Sequence, residues 1–378
     1  MEFKANLWDF GGQEIQYMIH HFFLTPQALY VLVADDRKQN TEFDYWFRII
    51  NLLGREKEEE RIKVLVVLNQ IGHTSVTNFD HATYQKNFPD LQIEKQEVDF
   101  AKADLRCTDL EKVIQKYLCT LPHVGDPLPR LWQPIRTALL EARKTQPHIT
   151  FSAFSAICTQ NYDGINLSRQ EDQLYLSRYL HRLGVILHYE EDALFDFVVL
   201  DPQWAVKAVY ALLKDKKVEH NNGQFTEADL KRKWKAYTPI ERTQLLNLML
   251  KDKFEICYRA PQAGTFIAPQ MLPPKRPPYN WESASAMKFR YQYPFMPKGL
   301  ISRLIVRLSD DIAGANKELV WKEGVIIAGH DCQAQILQHK TVKEGLEVLD
   351  IEVIGVERER KYLLRDIRKE VQKIHERS

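Results

Sequence analysis

The sequence predicts a parallel α/β sheet, then a mainly helical, winged-helix-like region, then an α+β region. Three observations carry this. Up to about residue 120, short aliphatic runs alternate with apolar residues at helical spacing. Beyond the Pro- and Gly-bearing stretch 121–130, helix starts with explicit capping residues predominate. After a stiff second stretch, 273–278, strand-like runs lead to one closing amphipathic helix.

Taken in order, residues 3–8 alternate Phe3, Ala5 and Leu7 inward and predict a first strand. Residues 28–34 and 62–68 are nearly continuous aliphatic runs, as expected of strands buried on both faces. Trp46, Phe47, Ile50 and Leu53 recur at helical spacing between them. Residues 96–101 predict the last strand, and Leu110, Val113, Ile114, Tyr117 and Leu118 mark a closing helix. Alternating strands and helices imply right-handed crossovers and a parallel sheet.

In the helical region, Asp201-Pro202 offers an N-cap followed by proline at the first helical position. Thr238-Pro239-Ile240-Glu241 adds a capping box to the same device, and Thr226 to Asp229 resembles that box with a shorter acid. Two hairpins are expected, 184–190 with 195–200 and 254–259 with 264–268, suggesting two winged-helix-like units in tandem. The last region should hold a strand at 287–293, a helix at 300–308, several strands between 319 and 354, and a helix presenting Leu363, Leu364, Ile367, Val371 and Ile374.

Composition narrows the function classes. With 378 residues the chain has room for two or three domains. Lys plus Arg is 52 against Asp plus Glu 51, a balance that demands neither a nucleic-acid nor a membrane partner. The 5 cysteines show no Cys-x-x-Cys spacing, which argues against a disulfide framework or thiolate metal site and for a reducing, cytoplasmic setting. No signal peptide is expected at the N-terminus, and no apolar run approaches the ~20 residues of a membrane helix.

The most informative stretch is Trp8-Asp9-Phe10-Gly11-Gly12-Gln13-Glu14, followed by His21-Phe22-Phe23-Leu24-Thr25. It resembles the switch II region of the Roc domain of Roco proteins. Val199-Leu200-Asp201-Pro202-Gln203-Trp204, Phe254-Glu255-Ile256-Cys257-Tyr258 and Tyr291-Gln292-Tyr293 are similar to signature stretches of the COR domain that follows Roc. The resemblance covers essentially the whole chain. It implies a partial Ras-like parallel sheet over 1–120, a linker at 121–130, a helical COR subdomain over 131–284, and an α+β COR subdomain over 285–378.

The resemblance also implies roles. Asp9 matches the aspartate that holds Mg²⁺ through water, the Gly12 amide the donor to the γ-phosphate, and Gln13 the residue that orients attacking water. Asn69 and Gln70 stand at the base-recognition motif Asn-Lys-x-Asp, and Lys102 sits where the last guanine-binding loop lies. The implied ligands are GTP or GDP with Mg²⁺, and the implied partner is a second copy bound through COR.

Two departures temper this. The guanine-reading aspartate is replaced by Gly72, which costs about 1–3 kcal/mol in unpaired base donors; His73 is a weak substitute, and Gln70 lacks the lysine stem. No Gly-x-x-x-x-Gly-Lys-Ser/Thr occurs in the sequence, so there is no phosphate-cradling nest or lysine. These 378 residues are therefore expected to be a Roc module cut at its N-terminal side, weak or inactive toward nucleotide by themselves. The alternative is a nucleotide-independent dimerisation or scaffold module.

Other motifs have blander readings. Asp9-Phe10-Gly11 spells a kinase metal motif, but no His-Arg-Asp loop precedes it and no Ala-Pro-Glu follows. His20 and His21 are adjacent, so they do not share a helix face for a metal. Lys231-Arg232-Lys233-Trp234-Lys235 could meet nucleic acid, although a solvated helix face is the simpler expectation.

Overall fold

The structure is a computed structural model. It describes residues 5, 7, 28–35, 42–53, 61–69, 79–101, 105–121, 123–125, 128–162, 164, 166–250, 254–341 and 346–376. These fall into two compact units. One gathers the described residues up to 141 with 155–186; the other gathers 142–154 with 187–376.

The first unit is built on a parallel sheet of β1 (Tyr30–Asp35), β2 (Ile62–Asn69) and β3 (Leu91–Val98), in that order. The register runs from Tyr30 opposite Val64 to Asp35 opposite Asn69, and from Ile62 opposite Leu91 to Asn69 opposite Val98. Helices α1 (Phe43–Leu53) and α2 (His81–Asn87) cover one face, where Phe47, Ile50, Val64, Val66 and Phe88 are buried together. Helix α3 (Leu105–Cys119) covers the other, against Leu65, Val67 and Val98. The central strand β2 is thus buried on both faces, as its aliphatic run predicts.

β1 departs from that expectation: Val31 is 39% and Val33 60% exposed. Among the described residues it is an edge strand, and the core that α3 covers on that face is drawn from β2 and β3. The last strand is 91–98 rather than 96–101. Its polar middle, Glu94 to Glu97, hides an apolar alternation at Leu91 and Ile93 that begins five residues earlier. Helix α2 escapes the periodicity reading because it buries no residue; it is signed instead by Asp80, whose carboxylate accepts the Thr83 N–H at 3.1 Å. Of the predicted first strand, Ala5 and Leu7 are described; both are exposed and outside any strand, and the rest lies outside the described residues.

The chain continues through α4 (Trp132–Arg143), β4 (His148–Ile149), α5 (Phe151–Cys158) and α6 (Gln170–Arg182). Trp132 packs on Tyr179 with ring centroids 4.8 Å apart. In the second unit, β5 (Val198–Val199) pairs with β4, and the first expected hairpin reduces to a single bridge between Leu187 and Val199. Then follow α7 (Pro202–Leu213), α8 (Lys216–His220), β6 (Gln224–Thr226), α9 (Glu227–Lys233), α10 (Pro239–Met249), β7 (Tyr258–Arg259) and β8 (Thr265–Ile267). The second expected hairpin forms as β7 with β8, and β6 completes a three-stranded antiparallel sheet. Gly223 enters β6 at φ +82°, where a Cβ would collide with the Ala268 carbonyl oxygen.

Both capping boxes form, at Thr226 with Asp229 and at Thr238 with Glu241. Asp201 occupies the N-cap of α7 without capping it through its side chain; the carboxylate pairs with Arg143 at 2.7 Å instead. The stronger, charge-assisted partner wins the oxygen.

A five-stranded antiparallel sheet closes the unit. Its strands are β9 (Met287–Tyr293), β10 (Val320–Trp321), β11 (Gly324–Gly329), β12 (Cys332–Lys340) and β13 (Glu347–Gly355), ordered β10-β11-β12-β13-β9. Helices α11 (Leu300–Arg307) and α12 (Arg360–Glu376) bury one face, with Leu304, Ile336, Ile351, Ile367 and Val371 at its centre. The proline-rich 273–278 stretch and its sequel fold over the other face, where the Tyr279 hydroxyl donates to Gln335 Oε1 at 2.5 Å and Trp281 Nε1–H to Glu352 at 2.9 Å.

Candidate functional site

Asn69 is the one resemblance-implied site residue within the described chain. It ends the central strand β2, opposite Asp35 on one side and Val98 on the other. That is the carboxyl end of the parallel strands, where open α/β sheets bind their ligands. The Asn69 side-chain oxygen accepts the backbone N–H of Phe100 at 3.2 Å. Asp99, only 1% exposed, accepts the Ala101 N–H at 3.0 Å. Two side chains thus fasten the loop that follows β3 and leads to Lys102. Sequence reasoning missed Asp99. Its signal was an Asp directly after a strand, a residue that bonds its own backbone two positions on.

Asp9, Gly12, Gln13, Gln70 and Lys102, with Gly72 and His73, lie outside the described residues. The Mg²⁺ implied at Asp9 falls there as well. Among the described residues, no cluster of His, Cys, Asp or Glu could hold a metal ion.

The basic stretch 231–235 is largely spent on the fold. Trp234 is fully buried and donates its indole N–H to the Ala208 carbonyl at 2.9 Å, so it offers no face for a base. Arg232 and Lys233 pair with Asp215 at 2.7 and 3.1 Å. Lys217 pairs with Asp229 at 2.7 Å. Burial would raise the Asp229 carboxyl, but bonds from Lys217 and Thr226 outweigh it and hold the group at about 2.

The second unit contains a buried ion cluster that the sequence did not announce. Glu255 is fully buried and sits at φ +50°. One carboxylate oxygen accepts Arg303 Nε–H at 2.6 Å and the other pairs with Arg307. Arg307 reaches on to Glu370 at 3.0 Å, and Lys373 joins Glu370 at 2.6 Å. Burial pushes the Cys158 thiol up to about 12 and the Cys257 thiol higher still, so neither of these two offers a reactive thiolate. No helix among the described residues is long and apolar enough to cross a membrane.

Comparison with known proteins agrees with this architecture. Residues 1–72 match the family model described as Ras of Complex, Roc, domain of DAPkinase. Residues 129–272 match the C-terminal of Roc, COR-A domain, and 284–378 the C-terminal of Roc, COR-B domain. A probable serine/threonine-protein kinase, pats1, of Dictyostelium discoideum is 26% identical over 91% of this chain and 11% of its own length. A Roc-COR-CHAT protease of an unknown prokaryotic organism is 26% identical over 93% of this chain and 33% of its own. The chain therefore spans a third or less of these relatives. Among solved structures, Methanosarcina barkeri Roco2 RocCORdC bound to GDP superposes with a TM-score of 0.55 at 27% identity, covering 70% of this chain and 79% of that one. The parallel sheet with Asn69 at its carboxyl edge, the capped helical region and the antiparallel sheet under two helices follow the Roc, COR-A and COR-B order of these matches, and the chain belongs to the Roco family as a Roc-COR module.

Proposed function

We propose that this chain is the switch and dimerisation portion of a GTP-hydrolysing Roco protein. In that protein, guanine nucleotide with Mg²⁺ binds at the carboxyl edge of the parallel sheet, and its state is coupled to dimerisation through COR. The observation that carries the reading is Asn69, placed at that edge with its side chain fastened to the Phe100 loop. The GDP-bound structural neighbour supports it. Asp9 would hold Mg²⁺ through water, Gly12 would meet the γ-phosphate, Gln13 would orient water, and Gln70 and Lys102 would flank the base. These 378 residues, which contain no P-loop motif, bind nucleotide weakly or not at all by themselves.

The test is a titration with a fluorescent GTP analogue and Mg²⁺, on the chain alone and on the chain preceded by a P-loop strand segment. Asp9→Ala serves as the control in both. Binding that appears only with the added segment and disappears in Asp9→Ala is expected. A chain that carries the added segment and still ignores GTP overturns the reading and makes Gly72 decisive.

A second reading, a scaffold that dimerises without nucleotide, is favoured by one fact. Among the described residues, the core under the five-stranded sheet draws on residues from 258 onward and on none of the parallel sheet. Light scattering with no nucleotide added decides it: a dimer supports the scaffold, and a monomer sinks it.

A further inference from the structure

The outward face of α12 is cationic and stands beside a strand edge that nothing in the described chain occupies. β9 ends its sheet: it pairs with β13 on one side, and no strand among the described residues pairs with the other. On one face β9 carries Phe289, Tyr291 and Tyr293, with successive ring centroids 4.9 and 6.3 Å apart. A cavity of about 500 Å³ opens against this row, lined by Tyr291, Arg365, Asp366, Arg368, Lys369 and Gln372.

The charges around the cavity do not balance. Asp366, its one acid, is engaged by His330 at 2.8 Å and Arg365 at 3.2 Å. The Arg368 guanidinium carbon lies over the Phe289 ring, 4.6 Å from its centroid, a contact that uses the cation's face and leaves its N–H groups for an acceptor. Among the described residues neither Arg368 nor Lys369 has a carboxylate at ion-pair distance, and both are exposed.

We propose that this groove docks an extended acidic peptide, which adds as a strand to the free edge of β9 and sets alternate carboxylates against Arg368 and Lys369. The edge of β9 away from β13, unpaired among the described residues, offers backbone donors and acceptors in a row, which a peptide can pair and a nucleic acid cannot. Side chains of an added strand alternate with period two, so every second residue faces the α12 side. Base stacking is poorly served, because Arg368 already covers Phe289 and the His375 ring stands against Tyr291 and Tyr293 with centroids 5.8 and 5.7 Å apart. A second copy paired edge to edge through β9 would bring two identical cation rows together, which like-charge repulsion opposes. The inference is independent of any nucleotide chemistry in the first unit.

The experiment is fluorescence anisotropy with a labelled nine-residue peptide carrying glutamate at alternate positions, against a lysine-substituted version and a single-stranded oligonucleotide. Binding of the glutamate peptide is expected, weakened at least tenfold by R368E/K369E and unchanged by K231E, a remote basic position. Hydrogen exchange should show the 287–293 amides gaining protection when the peptide is added. The exposed positions of both reversals predict unaltered melting, which is checked alongside. Binding that ignores R368E/K369E, oligonucleotide binding that exceeds peptide binding, or light scattering that shows a dimer dissolved by R368E/K369E would each overturn the proposal, the last by making the occupant a second copy.

Discussion

Glu255 is the side chain on which the second unit is most exposed to damage. It is fully buried between two guanidiniums that are themselves 6% and 7% exposed. Such a pair adds little net stability over a well-packed apolar core, but removing one partner leaves uncompensated charge, at a cost of about 3–5 kcal/mol. Glu255→Gln should therefore lower urea-unfolding stability by that amount. Arg290→Ala breaks the Asp350 pair, whose arginine is 48% exposed, and should cost less than about 1 kcal/mol. Equal costs in the two variants would mean that burial does not set the energetics here. Asp229 yields a pH dependence. Its carboxyl sits at about 2 in the fold, below the unfolded value near ~3.9. Between those values the unfolded chain binds more protons, so the contribution is complete above about pH 5 and is lost as pH falls toward 2. Asp229→Asn should flatten the acid limb of melting temperature plotted against pH; an unchanged slope would assign that limb to other carboxylates.

At the scale of elements, capping and edges decide most. Thr238 accepts the Glu241 N–H at 3.2 Å, while Glu241 bonds back to the Thr238 N–H at 2.6 Å and also meets His148 at 3.0 Å. Thr238→Ala should cost about 1 kcal/mol in denaturant melts, the usual value of a lost N-cap. A change several times larger would show that the cap also positions the Glu241–His148 contact. β1 shows the opposite case, an apolar strand with one bare face. Val33→Lys should leave stability within about 0.5 kcal/mol and reduce turbidity on heating, because a charge on β1, an edge strand of the described sheet, opposes edge-to-edge association. A marked loss of stability would mean that this face is covered after all.

At the scale of the molecule, each unit has an apolar core among its described residues, one around β2 and one under the five-stranded sheet. A core in each unit predicts two heat-absorption transitions rather than one. Glu255→Gln should shift only one of them; a single transition displaced as a whole would show that the units unfold together. Glu255 lies within the COR-A match and its arginines within the COR-B match, so the ion cluster ties those two matched regions inside one unit.

Legible in the chain alone were the features governed by local physics. Aliphatic runs marked β1 and β2, helical periodicity marked α1, α3, α11 and α12, and threonine-acid spacing marked both capping boxes. The order of motifs carried the family, because each depends on a short stretch of backbone and side chain. What needed the folded molecule was everything set by partners distant in sequence. Asp201 reads as a cap until Arg143, 58 positions away, takes its carboxylate. β3 hides its start because, at the edge of the described sheet, its middle stays partly exposed and so tolerates polar residues. The Glu255 cluster joins residues 48 and 63 positions apart, and Asn69 reaches the Phe100 loop across 31. Spacing along a chain encodes helix faces and strand faces, whereas burial and charge pairing belong to the surfaces those elements present to one another.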